Sequence, residues 1–376
     1  METRINPALV PTAWLKDFVV EAYRKSAYDR YMGSGMDNII VTLEDLTKAN
    51  NGDTVIVPLV TRLDNSVVRG EQVLSGNESA LGTANDRVTV DFIRHGVKIT
   101  KNTRYKSAID LFKAARSELR NKTSRALRTD ISTAFRSIIV QGVADAQGRS
   151  FDTAVPYETA APADRDKFLV ANDDRIKMGS ASKANKASGV WATALSTLTV
   201  ANDKLTAQML RDARDMALLT DADDAPGPAI TPVSFDEEGN SEGFVFFATL
   251  KQYNDLRADP EVIANYRSNP APDYSKNPLF YAGDLMIDDI LVRKMQYLPS
   301  LGAVGNSGAQ VEMGFLAGQS AIVNAIAQWP TDVKEDIDYM FRNGVGIEEC
   351  RGVKKLSFKG KQFGVVTVLS ATATAG

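Results

Sequence analysis

Apolar positions near the start of the chain recur at helical spacing. Trp14, Phe18 and Ala22 lie four residues apart and would share one face of a helix over residues 12–31. The sequence leaves two interpretations of this apolar face open. The helix packs on the core of its own subunit, or it belongs to an arm that docks on a neighbouring molecule.

The pattern changes to a period of two between Asp53 and Thr100. The segments TVIVPLVTRL and RVTVDFIRHGVKIT are rich in β-branched residues and alternate between apolar and polar positions, which predicts two strands. The 24 residues from Asp64 to Arg87 join them and offer little apolar surface for a core. A loop of this length in a folded protein is usually functional, bound to a partner or disordered.

A third pattern predicts one long helix from Lys101 to Gln141, about 60 Å at ~1.5 Å per residue. Ten basic and three acidic side chains give this segment a local charge of +7, whereas the whole chain carries −3. Two interpretations stay open: a solvated helix face, or a surface that contacts nucleic-acid backbone. The apolar stripe of the predicted helix consists of Ile109, Phe112, Leu119, Ala126, Ile131, Phe135 and Ile138.

The rest of the chain mixes helices and strands without a regular βαβ order, which predicts the α+β class. Ala144 to Gly189 lacks periodicity and is expected to be a loose insertion. Asp221 to Gly243 holds seven acids and no base and is expected to be a loop. The other predicted elements are a helix over 203–219, a strand over 244–250, a helix near 252–259, a strand pair over 284–297, a mixture of strand and helix over 311–328 and closing strands over 345–369.

Composition narrows the classes of protein. Of the 376 residues, 44% are apolar and 24% are charged, as in an ordinary globular protein, and the length predicts two or three compact units. The single cysteine, Cys350, and the single histidine, His95, exclude an internal disulfide and a Cys/His zinc site. Residues 1–10 lack the apolar core of a secretory signal, and no 18 apolar residues run together. We therefore expect a soluble protein, made in a cytoplasm, without a membrane partner.

No group of residues suited to catalysis emerges from the sequence. P-loop and Gly-x-Ser-x-Gly patterns are absent, and a pair of His95 with Cys350 would require two isolated residues to meet by folding. The adjacent acids Asp288–Asp289 and Glu348–Glu349 would point to opposite faces of a strand. We predict that the protein is not an enzyme and has no catalytic, cofactor-binding or metal site. An enzyme with an unrecognised pocket stays open as an alternative.

Seven segments, in order along nearly the whole chain, carry a resemblance to a known family. The segments are DTVIVPLVTRL, VVRGEQVLSGNESAL, VTVDFIRHGVKI running into DLFKAARSEL, VFFATLKQYNDLRADP, NPLFYAGDLMIDDILVRK, MGFLAGQSAI and DIDYMFRNGVGIEECRGVKKLSFKGKQFGVVTV. With these segments the chain resembles tailed-phage major capsid proteins of the Hong Kong 97-type fold, and more specifically the major capsid protein family typified by phage N4.

The resemblance implies an α+β chain in four parts. Residues 1–50 would form an N-terminal arm, and residues 51–100 an extended loop in the form of a β-hairpin. Residues 101–243 would form a peripheral domain, with a spine helix over 101–141 and the insertion over 144–190. Residues 244–376 would form an axial domain and return strands to the peripheral domain.

The resemblance also implies a function. The chain would be a major capsid protein that assembles with itself into the hexamers and pentamers of an icosahedral head around double-stranded DNA, in the virion capsid, after assembly in the host bacterial cytoplasm. Portal, scaffold and decoration proteins are expected as further partners. Contacts with neighbouring subunits are expected at Trp14, Phe18, Arg69, Glu71, Asn77 and Glu78. The basic residues expected to face DNA are Arg116, Arg120, Arg125 and Arg128.

Two other classes of binding protein share some of these features. An encapsulin-type compartment would use the same fold around cargo enzymes, so the charge of the lumen and the identity of the cargo discriminate it from a virus. A DNA-coating protein is the other. The N4-type segments favour the virus.

Overall fold

Two large β-sheets, three two-stranded sheets and the helices packed on them form the described part of the chain. A computed structural model describes residues 28–46, 53–60, 69–70, 83–106, 111–142, 151–219, 229–235, 242–268, 280–281, 284–339 and 341–373. The strands are β1 (Met32–Gly33), β2 (Ile40–Leu43), β3 (Thr54–Val60), β4 (Thr83–Thr89), β5 (Asp91–Thr100), β6 (Ile138–Val140), β7 (Thr153–Val155), β8 (Ile176–Met178), β9 (Val233–Ser234), β10 (Glu242–Thr249), β11 (Phe280–Tyr281), β12 (Asp284–Ile287), β13 (Ile290–Met295), β14 (Gln310–Ala317), β15 (Ile322–Ile337), β16 (Arg342–Lys355), β17 (Ser357–Phe358), β18 (Lys361–Gln362) and β19 (Val365–Thr372). The helices are α1 (Lys101–Lys106), α2 (Leu111–Arg136), α3 (Pro162–Ala171), α4 (Ser182–Lys186), α5 (Trp191–Ser196), α6 (Ala207–Leu218), α7 (Leu250–Arg257) and α8 (Pro260–Ser268).

The first sheet has the strand order β1-β2-β15-β16-β5 and is built around one long hairpin. β15 and β16 pair antiparallel along almost their whole lengths, and β5 pairs antiparallel with the other side of β16. Helix α2 lies along this sheet, where Leu119 packs with Val345 and Ile347. Two long strands, a third beside them and one helix on one face therefore form an elongated unit.

The second sheet has the order β11-β12-β13-β10-β14-β19-β8 and is covered on both faces. On one face the rings of Tyr28, Phe135, Phe247 and Phe315 meet with centroids 5.2–6.0 Å apart. On the other face α6 and α7 pack over a second apolar cluster that includes Phe246. Burial on both faces explains why β10 is an almost continuous apolar segment instead of an alternating one.

Several predicted elements are confirmed. The strand predicted over 244–250 is β10, and α7 begins directly after it because Thr249 and Gln252 form a reciprocal capping box. The strand pair over 284–297 is the antiparallel pair of β12 and β13, and the helix over 203–219 is α6. The α+β class is confirmed by this mixture. The helical part of the mixture predicted over 311–328 is wrong, because β14 and β15 occupy that segment.

The single long helix predicted over residues 101–141 is wrong in its extent. The structure has two helices, α1 and α2, and residues 107–110 between them lie outside the described part. Helix α2 ends before Ser137, whose hydroxyl donates to the Ala134 carbonyl oxygen at 2.7 Å. The β-branched segment Ile138–Val140 then pairs with β7 as a strand. Ile138, the first residue of this strand, is buried, so it fits the apolar stripe of the predicted helix although it is not helical.

The loose insertion predicted over 144–190 is wrong for its described residues, 151–190. They contain β7, α3, β8 and α4, and β8 pairs parallel with β19 of the second sheet. Phe168, Ile176 and Met178 are buried in the main core. The elements are ten residues or shorter, too short for a periodic pattern to stand out in the sequence.

The first predicted helix is described only at its end, since residues 12–27 lie outside the described part. Tyr28 leads into a short 3-10 helix, Asp29–Tyr31. The Tyr28 hydroxyl lies 3.0 Å from Ser132 Oγ of α2, and both Tyr28 and Tyr31 are buried. This end of the segment therefore packs on the core of its own subunit.

Candidate assembly surfaces

The β3–β4 hairpin packs against the first sheet with every second side chain. On the side away from the sheet, Ile56 and Pro58 are exposed. The alternation confirms the strands predicted from the period of two. The residues that pack with β2, β15 and β16 are Val55, Val57, Leu59, Val88 and Val90.

The six residues expected to contact neighbouring subunits are placed in part. Arg69 is described and exposed, next to Gly70 with a φ of 66°. The residues that lie outside the described part are Trp14, Phe18, Glu71, Asn77 and Glu78.

A buried ion pair fastens the base of the hairpin to the end of β16. Lys354 Nζ contacts Asp86 Oδ1 and donates to the Arg87 carbonyl oxygen at 2.9 Å. The other carboxylate oxygen of Asp86 accepts from the backbone N–H and the hydroxyl of Ser357, at 2.8 and 3.1 Å. Burial raises the pKa of Asp86, while the Lys354 charge opposes that rise. Because both charges are withdrawn from water, loss of one partner would leave the other uncompensated.

Gly352 lets the chain turn from β4 into β5 directly against β16. A Cβ at this position would overlap the carbonyl group of Thr89, so the close approach requires glycine. Gly96 lies in the same sheet under a different constraint. A Cβ there would be 3.5 Å from the Val345 carbonyl oxygen, an ordinary contact. The contact at Gly352, together with the ion pair, fixes how the hairpin leaves the sheet.

A second buried charged group fastens α2 to the same sheet. Arg351 Nε donates to Glu349 Oε1 at 2.9 Å, and a terminal nitrogen of Arg351 donates to Asp130 Oδ2 of α2 at 2.5 Å. The side chains of Arg351 and Glu349 are almost fully buried, whereas Asp130 is partly exposed. Burial raises the pKa of Glu349, and the Arg351 charge opposes that rise. Hairpin, sheet and helix are thus held in one frame.

The four arginines expected to face DNA do not form one exposed stripe. At ~100° of rotation per residue, Arg125 lies about 180° around the helix axis from Arg116. Arg125 is exposed and pairs with Glu118 at 3.3 Å, whereas Arg116, Arg120 and Arg128 are half-buried. The exposed stripe opposite the packed face of α2 consists of Glu118, Lys122, Arg125 and Thr129.

Two of the half-buried arginines have contacts within the subunit. The Arg128 guanidinium lies 3.3 Å from the centroid of the Tyr297 ring, a cation–π contact. Arg116 lies near Asp332 of β15, and its positive charge opposes the rise in the pKa of Asp332 that burial causes. The structure therefore separates Arg125, which is exposed, from Arg116 and Arg128, which contact other elements of the subunit.

The long hairpin ends in an exposed turn beside α1. Asp338 and Tyr339 both have positive φ, 58° and 51°. The Lys101 N–H donates to the Phe341 carbonyl oxygen at 2.9 Å, so α1 begins next to this turn. Tyr339 is fully exposed, Phe341 is partly exposed, and Tyr105 on α1 is 91% exposed. We call the region next to this turn, residues 331–337, 342–348 and 94–100, the distal sheet.

The residues considered for chemistry are separated by the fold. His95 in β5 and Cys350 in β16 lie three register positions apart, so their side chains face opposite sides of the sheet. Asp288 and Asp289 each pair with an arginine of α6. Among the described residues, no cluster of three or more His, Cys, Asp or Glu side chains is suited to hold a metal ion. No helix in the same residues is long and apolar enough to cross a membrane.

The buried charges that hold the hairpin, the first sheet and α2 together are not among the residues predicted from the sequence. Asp86 and the buried Val88 lie two residues apart in β4, so their side chains point to the same side of the strand. Glu349 and Arg351 likewise point to the same side of β16 as the buried Ile347. A charged residue at an apolar position of an alternating strand is rare unless it is paired. That signal was present in the sequence.

The family of the chain follows from comparison with protein-family models. The model described as phage capsid protein matches residues 3–374. The chain therefore belongs to the phage capsid protein family. No curated protein sequence matches it.

Several solved structures with a similar fold are phage capsids. The Cyanophage Pam1 capsid asymmetric unit is 31% identical with a TM-score of 0.80, and the match covers 94% of this chain and 94% of that chain. The capsid of Ralstonia phage GP4 shares the fold at 20% identity and a TM-score of 0.70, over 94% of this chain and 92% of that one. The capsid of Helicobacter pylori bacteriophage KHP30 shares the fold at 13% identity and a TM-score of 0.61, over 93% of this chain and 91% of that chain. Together they indicate a major capsid protein that forms a phage head shell, a structural and not an enzymatic role.

Proposed function

We propose that this protein is the subunit of an icosahedral tailed-phage head of the Hong Kong 97 type and the N4-type family, in which hexamers and pentamers of the chain enclose double-stranded DNA. The observation that carries the proposal is the family match across residues 3–374. Among the described residues, the outer side of the hairpin and the turn at the end of the first sheet are exposed as well. An encapsulin-type compartment is the alternative, and the family match favours the virion.

The proposed division of the chain follows the two sheets. Residues 1–50 are the N-terminal arm, and residues 51–100 are the extended loop, which the β3–β4 hairpin supports. Residues 101–243 are the peripheral domain, with α2 as the spine helix along the first sheet. Residues 244–376 contain the axial domain and the strands β15 and β16, which return to the peripheral domain.

Contacts between subunits are proposed on the arm and the extended loop. The buried ion pair of Asp86 with Lys354 supports this proposal, because it holds the loop at a fixed angle to its own subunit. A loop that is fixed at its base, and whose described residues Ile56, Pro58 and Arg69 are exposed, is suited to lie over a neighbour. The proposed contact residues are Trp14, Phe18, Arg69, Glu71, Asn77 and Glu78.

The surface that faces packaged DNA is proposed on α2, with Arg116, Arg120, Arg125 and Arg128 as candidates. Packaged DNA needs positive charge near its phosphates but no base reading. Arg125 and Lys122 are the basic residues of the exposed stripe, so they test this placement without disturbing the contacts of Arg128.

The test compares particles made from charge-reversed and charge-preserving variants of α2. We expect Arg125→Glu with Lys122→Glu to lower the DNA content per particle and to leave particle yield unchanged. Arg125→Lys with Lys122→Arg is the matched control and should retain the DNA. Normal DNA content in the reversed variant, or loss of particles, would contradict the placement.

Portal and scaffold proteins, and a decoration protein, are proposed as further partners, with assembly in the host bacterial cytoplasm. The proposal as a whole is tested by expressing the chain alone and together with the scaffold and portal of its phage. Electron microscopy and size-exclusion chromatography should then reveal closed icosahedral shells or free pentamers and hexamers. A monomer under both conditions would refute the proposed function.

A further inference from the structure

The two long edges of the distal sheet carry charges of opposite sign. Residues 331–338, along β15 and its turn, hold four acids and one lysine, a net charge of −3. Residues 94–106, along β5 and α1, hold five basic side chains and no acid, a net charge of +5 with histidine neutral. β16 lies between β15 and β5, so the two charged edges lie on opposite sides of one narrow sheet.

Exposed side chains define these edges. Asp336 and Asp338 are exposed on one edge, and every residue of α1 is exposed on the other. One pair is balanced within the subunit, since Lys98 Nζ lies 3.3 Å from Glu335 Oε2 across Gly344. With this pair balanced, and with half-buried Asp332 near Arg116 of α2, the acidic charge that faces outward lies on Asp336 and Asp338. On the basic edge the outward charge includes that of Lys101, Arg104 and Lys106 of α1.

Neither edge is covered by another strand within the residues that the structure describes. β2 pairs with β15 over Ile322–Ala325, well before residues 331–337, and β5 is the last strand of the sheet order. Charges on an uncovered edge hinder uncontrolled strand pairing whatever their sign. Opposite signs on the two edges do more, because the acidic edge of one copy attracts the basic edge of another.

We infer that the distal sheet is a head-to-tail contact between copies of this chain, in which residues 331–338 of one copy face residues 94–106 of the next. The inference rests on the proposed function and names a second copy as the partner of this surface. Because the contact joins two different patches, it repeats from copy to copy and closes into a ring when the rotation allows.

Exposed aromatic side chains lie where the two edges meet. Tyr339 and Phe341 belong to the turn at the end of β15, and Tyr105 belongs to α1 beside it. Aromatic residues are enriched at the centres of protein interfaces, where charged residues are depleted. In the contact that we infer, the ring surfaces supply buried apolar area while the charged edges set orientation and partner choice.

The test uses charge changes that leave the Lys98–Glu335 pair intact. The acidic-edge variant combines Asp336→Lys with Asp338→Asn, and the basic-edge variant combines Lys101→Glu with Lys106→Glu. A third variant carries all four changes. The matched control, Lys167→Glu with Lys183→Glu, makes the same charge change as the basic-edge variant at exposed residues of α3 and α4.

Assembly of each variant is measured by sedimentation and electron microscopy, and folding by circular dichroism. We expect each single-edge variant to fold and to lose about tenfold in closed-particle yield, with the four-change variant restored to within about threefold of wild type. For a variant that does not fold, Asp336→Asn or Lys106→Gln replaces it, with a loss of about twofold.

The outcomes separate this inference from the proposed function. If wild type forms no capsomers or shells, the proposed function fails. If wild type assembles and the single-edge variants assemble equally well, or the control loses as much as they do, the head-to-tail contact is refuted while the proposed function stands.

Discussion

The second sheet and the distal sheet differ in how much of their surface their own subunit covers. In the second sheet both faces are apolar and buried, and β10 and β14 have almost no exposed side chain. In the distal sheet α2 covers one face, the edges are charged, and the turn presents an exposed tyrosine. The second sheet can therefore be stable within one subunit, whereas we propose that neighbouring copies complete the distal sheet and the hairpin.

The largest expected effect comes from the aromatic layer of the second sheet. Phe247→Ala removes a fully buried ring in contact with two tyrosines and Phe135, so we expect the free energy of unfolding to fall by about 3–5 kcal/mol. Urea unfolding of the unassembled subunit measures it. Tyr339→Ala, at the exposed turn, is the control and should change subunit stability by less than about 0.5 kcal/mol. Similar losses in both variants would remove the distinction between the two regions.

The next effect concerns the ion pair at the base of the hairpin. Asp86→Ala leaves the Lys354 ammonium buried without its carboxylate, and we expect a loss of about 3 kcal/mol in urea unfolding. Lys98→Ala breaks the exposed pair with Glu335 on the distal sheet and should cost less than about 1 kcal/mol. Equal effects would contradict the view that the hairpin base belongs to the fixed frame.

A pH-dependent effect is expected from Lys355, where β16 ends in the core. Its ammonium donates to the Phe135 carbonyl oxygen at 3.2 Å and to Gln362 Oε1 at 3.0 Å, and burial lowers the pKa of Lys355 to about 7. Above that pH the folded chain has lost a proton that the unfolded chain keeps up to about pH 10, so stability rises with pH.

The prediction is the difference in the free energy of unfolding between wild type and Lys355→Met. As the pH rises from about 7 to 9, the free energy of unfolding of wild type should increase relative to that of Lys355→Met by about 1.4 kcal/mol per pH unit. The same difference for the exposed Lys183→Met should stay flat. A flat difference for Lys355→Met would contradict a neutral buried lysine above pH 7.

The smallest effect compares two glycines of the first sheet. Gly352→Ala places a Cβ against the Thr89 carbonyl group, and we expect a loss of about 1–3 kcal/mol with faster proteolysis of the hairpin base. Gly96→Ala meets an ordinary contact and should be close to neutral. If the two substitutions change stability and proteolysis equally, the close packing at Gly352 does not fix the position of the hairpin on the sheet.

Periodicity predicted the strands of the hairpin and β10 well because each has a clear burial pattern. It failed at residues 138–140, where buried β-branched residues matched the spacing of a helix yet paired as a strand. It also failed over residues 151–190, since short elements acquire their burial from the surrounding core. Local patterns thus predict long elements, and tertiary packing decides short ones.

The candidate sites were predictable to a lesser degree. The excess of positive charge on α2 was visible in the sequence, but its division between exposed Arg125 and half-buried Arg128 depends on the ring of Tyr297, a residue distant in the chain. The opposite charges of the two sheet edges depend on the pairing of β15, β16 and β5, which no local pattern gives.

Hydrogen exchange of assembled particles and unassembled subunits tests the central claim most directly. We predict that amides of residues 94–100 and 331–337 become slower to exchange on assembly, while those of β10 and β14 are equally protected in both states. Equal exchange of the distal sheet in the two states would contradict the claim that neighbouring copies complete it.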